Sequence, residues 1–356
     1  MPNHQEKKTE HERRVLASFR VRACAAGLCA GAQIYLAGCA VGMPLTLGSA
    51  WLAALAALAL CVWITVRCHR TLARYSQKGT VSRPAYAFVA AALLLSAAFS
   101  LSSMVCYAGE TLVAQTRGIW TAAMAWIAIS LCALPGPAGA ARICFAMRYA
   151  FPPLVLGLGA AAVPWRIPVG LFPLLGAGAT ELGAAAVCML FGAAPALMLA
   201  LPPPELAGQA YEVPQKAFFL RRMLAGALAG VLLLFLSSAC TTYESILEST
   251  QWGARLHMAA GNLAREGIAQ MLLTVTKLLA MLLLAANMLC AAEQALTLAF
   301  PALAKGRIGL ALLLFLLLLS LSALIVLGEK PLLIAAPAIA IPAALAAWIL
   351  GRRRRA

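Results

Sequence analysis

One lysine lies deep inside an apolar stretch of the sequence. Lys277 occurs in TVTKLLAMLLL, ten residues into a long hydrophobic block, next to Thr274 and Thr276. Ionisable side chains are costly within a bilayer and mark transport or signalling sites when they occur there. Poor hydration at that depth favours the neutral amine, so Lys277 could exchange a proton near neutral pH. The alternatives are pairing with a carboxylate, for which Glu181 is the first candidate, or extension to the membrane interface.

The other reactive residue types do not form a catalytic or metal-binding pattern. None of the 11 cysteines belongs to a CxxC pair, and the four histidines are scattered. We therefore predict no metal and no cofactor. The sequence also has no HExxH, no GxSxG, no aspartate-rich diphosphate motif and no paired intramembrane aspartates. An enzyme acting on lipid-linked substrates within the membrane is accordingly disfavoured, and we expect a protein that is not an enzyme.

The composition excludes a soluble fold. Hydrophobic residues make up 63% of the 356 residues and charged residues 11%, whereas soluble domains have about 45–50% apolar and 25% charged residues. The mean hydropathy is +0.88. These values indicate an all-α polytopic membrane protein.

Ten apolar blocks are long enough to cross a bilayer, which requires about 20 residues per helix. They cover residues 21–47, 49–66, 85–109, 118–136, 142–163, 171–201, 217–241, 267–292, 308–328 and 332–350. Ten helices divide into two sets of five. The resulting organisation is a cytoplasmic tail (1–20), a first five-helix repeat (21–163), a second five-helix repeat (164–350) and a basic cytoplasmic tail (351–356).

Basic residues predict the orientation of these helices. The formal net charge is +16, and 21 of the 28 lysines and arginines fall in the two tails and in alternate loops, while five fall on the opposite side. Because basic residues are enriched on the cytoplasmic side, both termini are expected in the cytoplasm. The excess charge is explained by orientation and by contact with membrane lipid, so no nucleic-acid partner is expected.

Five helices per half imply that the second half enters the membrane from the opposite side, which produces an inverted repeat. Such folds place their binding site where the first helix of each half is broken. Glycine and proline loosen a helix because they lack a Cβ and an N–H, respectively. The interrupting residues are Gly38 and Gly42 in the first block and Pro173, Gly176 and Gly178 in the sixth. These glycines indicate either a ligand site or close helix packing.

Three segments carry a resemblance to a known family. They are QIYLAG followed by MPLTLGSAWLAAL in the first two blocks, FPLLGAG at residues 172–178, and NLAREGIAQMLLTVTKLL leading into the eighth block. In order and spacing they resemble the B subunit of endospore germinant receptors. These subunits are spore germination permeases of the amino acid, polyamine and organocation transporter superfamily. The resemblance covers nearly the whole chain.

The resemblance implies a ten-helix transporter-like fold in a spore inner membrane or bacterial plasma membrane. It also implies assembly with an A subunit and a lipoprotein C subunit, and binding of a small germinant such as an amino acid. The ligand-binding positions would be Gly38, Gly42, Ser103, Tyr107, Gly176, Gly178 and Thr274. Lys277 would hold the first and eighth helices together. Independently of the resemblance, Glu181 is a candidate for coupling or proton exchange because it follows the predicted break in the sixth block.

The leading functional hypothesis is a permease-like receptor subunit. A ligand bound at the broken helices would shift the inward and outward populations, and so signal to partner subunits and trigger germination. A stand-alone proton-coupled amino-acid transporter is the alternative.

Overall fold

Helices dominate the computed structural model. It describes residues 4–39, 43–46, 49–78, 83–111, 118–162, 178–206, 211–240, 267–327, 345–346 and 348–350. No strand occurs within these ranges. The alanine- and leucine-rich blocks form the helices, in keeping with the high helix propensity of both residues. The all-α expectation is therefore confirmed.

Ten α-helices have both ends in the described ranges, one of them only four residues long, and residues 345–346 and 348–350 are helical as well. They are α1 (His4–Ala37), α2 (Met43–Thr46), α3 (Ala50–Lys78), α4 (Arg83–Thr111), α5 (Gly118–Ala133), α6 (Gly136–Ala162), α7 (Ala179–Met189), α8 (Lys216–Cys240), α9 (Gly267–Ala299) and α10 (Ile308–Leu327). Helical structure begins at His4, so the segment expected as a tail over 1–20 is largely part of α1.

Six helical stretches in the described part of the chain are long and apolar enough to cross a membrane. They are Glu10–Ala37, Ala50–Ser76, Arg83–Ala108, Ala179–Leu206, Lys216–Ser238 and Thr274–Ala299. Helices α5 and α6 meet at a bend of 103° and pass the same test as a pair. The tenth expected block, 332–350, lies almost wholly outside the described residues. The number ten therefore stays a prediction.

The predicted interruption of the first block coincides with a helix end. The α-helix stops at Ala37, and the next one begins at Met43. In the sixth block, the helical geometry changes after Met189, where α7 gives way to a 3₁₀ segment, Leu190–Ala200. Pro195 lies inside this segment and cannot donate a backbone hydrogen bond, which disfavours a regular α-helix there.

The helices pack in two groups. The α1 group consists of α1, α3, α7, α8 and the 3₁₀ segment Leu190–Ala200. Helices α1 and α3 both contact α8 and the 3₁₀ segment, and α7 contacts α3. The α4 group is built on the pairing of α4 with α9, the most extensive helix contact in the described ranges, with α5 and α10 beside it. Helix α6 contacts α9, α1 and α8.

A glycine seam joins α1 to α8. Gly27 and Gly31 of α1 face Gly226 and Gly230 of α8, so each helix presents two glycines four residues apart. A Cβ placed on Gly31 would lie 2.1 Å from the Gly226 carbonyl oxygen. Side chains larger than hydrogen are therefore excluded, and the two backbones lie in direct contact, as in other small-residue membrane helix pairs.

Candidate functional site

Lys277 is buried where α9 faces α1. Its side chain is 7% exposed. The Nζ atom donates a hydrogen bond to the Tyr35 hydroxyl oxygen at 3.0 Å. It also lies 4.9 Å from the Tyr35 ring centroid and 5.1 Å from that of Tyr107. Both rings are within the distance at which an aromatic quadrupole attracts an ammonium group.

Helix α4 contributes to the same place through Tyr107. The Tyr107 hydroxyl and Thr274 Oγ1 lie 3.1 Å apart and share a hydrogen bond. Tyr107 and Thr274 are both buried. Residues of α1, α4 and α9 therefore converge in what we call the lysine cluster: Tyr35, Tyr107, Thr274 and Lys277.

The lysine cluster combines groups suited to a small polar ligand. An ammonium group carries three hydrogen-bond donors, and the tyrosine and threonine hydroxyls each donate and accept. Held among apolar neighbours, such groups interact more strongly with a charged ligand than they would in water. The cluster could bind the carboxylate of a small molecule, and the amine could exchange a proton.

The structure brings together three of the residues singled out in the sequence, namely Tyr107, Thr274 and Lys277. Ser103, one helical turn before Tyr107, is also buried, and its hydroxyl donates to the Phe99 carbonyl of the same helix at 2.9 Å. The sequence reasoning did not single out Tyr35. The available signal was its position in QIYLAG, an aromatic hydroxyl beside the predicted helix break.

Gly38 is a packing position. A Cβ on this residue would lie 2.3 Å from Cδ2 of Leu234, a side chain of α8. The absence of a side chain thus allows close approach of α8, which agrees with the packing interpretation of this glycine. Gly42 and Gly176 lie outside the described residues.

Gly178 and Glu181 lie at the start of α7. Gly178 precedes the helix with φ +136°, a conformation that favours glycine. The Glu181 carboxylate accepts a hydrogen bond from Thr180 Oγ1 at 2.7 Å. Within the described residues Glu181 does not form an ion pair with Lys277, whose ammonium donates to Tyr35. The pairing of Lys277 with Glu181, one of the alternatives for this lysine, is therefore not observed.

A second polar layer links α1 to α4. Gln33 of α1 is fully buried, and its Nε2 donates to the Ser96 carbonyl at 2.8 Å and to Ser100 Oγ at 2.7 Å. Asn287 of α9 donates to Cys29 Sγ of α1 at 3.4 Å. The sequence reasoning missed Gln33, although an uncharged amide inside an apolar block is itself a signal of a buried hydrogen-bond network.

A third polar layer, the Arg22 clasp, lies about halfway along α1, where the first apolar block begins. Arg22 is 5% exposed. It donates to the carbonyls of Leu201 and Pro202 at 2.8 and 2.9 Å and to Gln294 Oε1 at 2.6 Å. Gln294 Nε2 donates to the Pro202 carbonyl at 2.6 Å. The clasp therefore joins α1, the end of the 3₁₀ segment and α9.

The fold of the chain is similar to that of solved membrane transporters. The chain superimposes on MHP1, a nucleobase-cation-symport-1 family transporter, in a closed conformation with bromovinylhydantoin bound. The TM-score is 0.62 with 13% identity, over 94% of this chain and 76% of that one. It also superimposes on a mutant of the Eremococcus coleocola manganese transporter. Here the TM-score is 0.55 with 12% identity, over 97% of this chain and 79% of that one.

The chain therefore has the fold of these membrane transporters and is an integral membrane protein. Identities this low show the fold alone. No protein-family model matches the sequence, and no curated protein matches it. The expected transporter-like fold is confirmed, while the narrower resemblance to germination permeases stays a prediction.

Proposed function

We propose that this chain is a permease-like membrane protein that binds a small polar molecule at the lysine cluster. The observation that carries the proposal is the convergence of Tyr35, Tyr107, Thr274 and Lys277 from three helices in a fold shared with transporters. The MHP1 structure holds bromovinylhydantoin, a small organic molecule. An amphoteric ligand such as an amino acid suits a site with one ammonium and several hydroxyl groups.

The polar layers support alternation between two states. Lys277 to Tyr35, Gln33 to Ser100 and Arg22 to Gln294 all link the α1 group to the α4 group. Within the α1 group, by contrast, the backbones of α1 and α8 lie in direct contact along the glycine seam. We infer that the two groups move as units. A ligand shifts such an equilibrium only through a difference in its affinity for the two states.

The helix pairings support an inverted repeat of five and five helices. The contact of α1 with α8 has its counterpart in the contact of the 3₁₀ segment with α3. The contact of α5 with α9 likewise corresponds to that of α10 with α4, and α4 pairs directly with α9. If each helix of one half is replaced by its counterpart in the other half, each of these contacting pairs becomes another contacting pair. With both termini in the cytoplasm, the Arg22 clasp would lie at the cytoplasmic end.

Two finer functions fit this site. The segments QIYLAG, FPLLGAG and NLAREGIAQMLLTVTKLL favour a germinant receptor subunit that senses an amino acid, with an A subunit and a lipoprotein C subunit as partners. The buried amine of Lys277 favours a stand-alone proton-coupled amino-acid transporter. The two differ in whether the ligand crosses the membrane.

Reconstitution separates the two functions. Purified protein in proteoliposomes would be offered a panel of radiolabelled L-amino acids, with and without an imposed pH gradient. Uptake that depends on the gradient and is lost in Lys277→Met supports the transporter. Saturable binding without uptake, lost in the same variant, supports the receptor, and co-purification with the A and C subunits would then be expected. Neither binding nor uptake of any small molecule in a wider panel would overturn the proposal.

A further inference from the structure

Arginines from different helices meet at the junction of α1, α6 and α8, which contact one another in pairs. The Arg148 guanidinium of α6 lies 3.5 Å from the Phe145 ring centroid, and that of Arg20 of α1 lies 6.0 Å from the same centroid. Arg148 also donates a hydrogen bond to Cys24 Sγ of α1 at 3.8 Å. Two cationic side chains from different helices thus share one aromatic ring.

Helix α8 adds two more arginines to this junction. The Arg222 guanidinium lies 3.6 Å from the Phe218 ring centroid and donates a hydrogen bond to the Phe218 carbonyl at 3.0 Å. Electrostatic repulsion acts on Arg222 from the arginines of α1 and α6 and from its neighbour in α8. We call the four residues the arginine patch: Arg20, Arg148, Arg221 and Arg222.

The described residues supply no counter-charge to the arginine patch. Ion pairs in that part of the chain involve Arg14, Arg142 and Arg307, which lie outside the patch. Like charges repel one another, and the repulsion is stronger beside a low-dielectric interior than in water. The Phe145 and Phe218 rings attract the guanidinium groups above them but carry no net charge. An anion at this junction would therefore stabilise the contact of α1, α6 and α8.

The arginine patch lies at one end of the apolar segments. Arg20 directly precedes the first apolar block, and Arg221 and Arg222 lie in the second turn of α8. Basic residues at the ends of membrane helices lie at the depth of the lipid headgroups. Arg20 and Arg221 are exposed, and Arg148 and Arg222 are half-buried, so a headgroup can reach all four.

Apolar surface continues from the arginine patch along α8. Leu228 and Leu232 follow Arg221 after seven and eleven residues, so the three side chains lie on one face of the helix. The two leucines are 48% and 44% exposed. A phosphate group at the patch thus has a hydrophobic surface beside it on which an acyl chain can lie. This arrangement favours a lipid over a free phosphate ion.

We propose that the arginine patch binds the phosphate group of an anionic membrane lipid, with an acyl chain along the Leu228 face of α8. Arginine suits this ligand because its planar guanidinium donates two parallel hydrogen bonds to phosphate oxygens. Basic pockets between membrane helices bind such headgroups in other proteins. The bound lipid neutralises the repulsion within the patch and so stabilises the junction of α1, α6 and α8. The site is separate from the lysine cluster.

Lipid binding to the full chain in detergent tests the proposal. Native mass spectrometry would measure the affinity for dioleoylphosphatidylglycerol and for dioleoylphosphatidylcholine, which has a phosphate but no net charge. In Arg148→Gln with Arg222→Gln, the affinity for phosphatidylglycerol should fall roughly 30-fold, because two of the four charges are lost. The control, Arg70→Gln with Arg83→Gln, removes two exposed arginines of α3 and α4 and has the same net charge. Equal affinities of the two double variants would overturn the proposal.

Two further measurements exclude a folding defect and a free anion. Arg20→Gln with Arg221→Gln changes only exposed side chains and should weaken phosphatidylglycerol binding to the same extent. Phosphatidylglycerol should also raise the thermal unfolding midpoint of the unmodified protein more than phosphatidylcholine or inorganic phosphate at the same concentration. An equal midpoint with either of these would contradict an anionic lipid as the occupant. None of these measurements uses a transported ligand, so their outcome is independent of the proposed function.

Discussion

The Lys277 ammonium and the Tyr35 hydroxyl are hydrogen-bonded at 3.0 Å across 242 positions of the sequence. The bond joins α9 to α1 just before the α-helix of the first block ends at Ala37. The Lys277 side chain is thus bound next to the residues at which α1 stops being a regular α-helix. Both a ligand and a moving helix could act on this contact.

Replacement of Lys277 by an uncharged residue should weaken ligand binding. A hydrogen bond to a charged group contributes about 1.5–3 kcal/mol, so Lys277→Met should weaken binding roughly 10- to 150-fold. Lys216→Met, at an exposed position at the start of α8, is the matched control. The measurement is equilibrium binding of the amino acids that bind the unmodified protein. Equal affinities for both variants would contradict the assignment of Lys277 to the site.

The Tyr35 hydroxyl should act through Lys277. Tyr35→Phe keeps the ring 4.9 Å from Nζ but removes the hydrogen-bond acceptor. Binding should weaken by about 1 kcal/mol, or roughly fivefold. In the Lys277→Met background the same change should have little effect, because the partner is already absent. A full effect of Tyr35→Phe in both backgrounds would show that the hydroxyl contacts the ligand independently of Lys277.

The sequence was sufficient to predict the α9 and α4 members of the lysine cluster. Lys277 is conspicuous because ionisable groups inside an apolar block are rare and costly. Tyr107 and Thr274 came from the resemblance. Tyr35 and Gln33 were not predicted because their roles depend on partners that lie 242 and 63 or more positions away. No local spacing rule specifies which helices meet at that distance.

The role of the glycines was the hardest feature to predict from the sequence. A glycine beside a ligand and a glycine beside another backbone have the same local pattern, since both require only the absence of a Cβ. The structure assigns Gly31 and Gly230 to the seam between α1 and α8, and it places Gly38 against Leu234.

Filling the glycine seam should destabilise the protein. The variant is Gly31→Ala. Its Cβ would lie 2.1 Å from the Gly226 carbonyl oxygen, so α1 and α8 would have to separate. Overpacking of this kind costs about 1–3 kcal/mol or more. Gly183 of α7 is the control, because a Cβ there meets nothing within 4 Å. Gly183→Ala should instead stabilise its helix by up to about 1 kcal/mol. Thermal unfolding in detergent measures both variants, and similar midpoints for the two would contradict the seam.

Breaking the Arg22 clasp should loosen the contact of α1 with the end of the 3₁₀ segment. Arg22→Ala removes three buried hydrogen bonds to Leu201, Pro202 and Gln294, so α1 would separate more often from the 3₁₀ segment. Cys29 is buried two turns further along α1 and is alkylated only when this region opens. Its rate of modification by N-ethylmaleimide, followed by peptide mass spectrometry, should rise on the order of tenfold. Arg14→Ala is the control because Arg14 pairs with Glu10 at the exposed surface, where ion pairs contribute little. Equal rates of Cys29 modification in the two variants would show that the clasp does not hold α1 against the 3₁₀ segment.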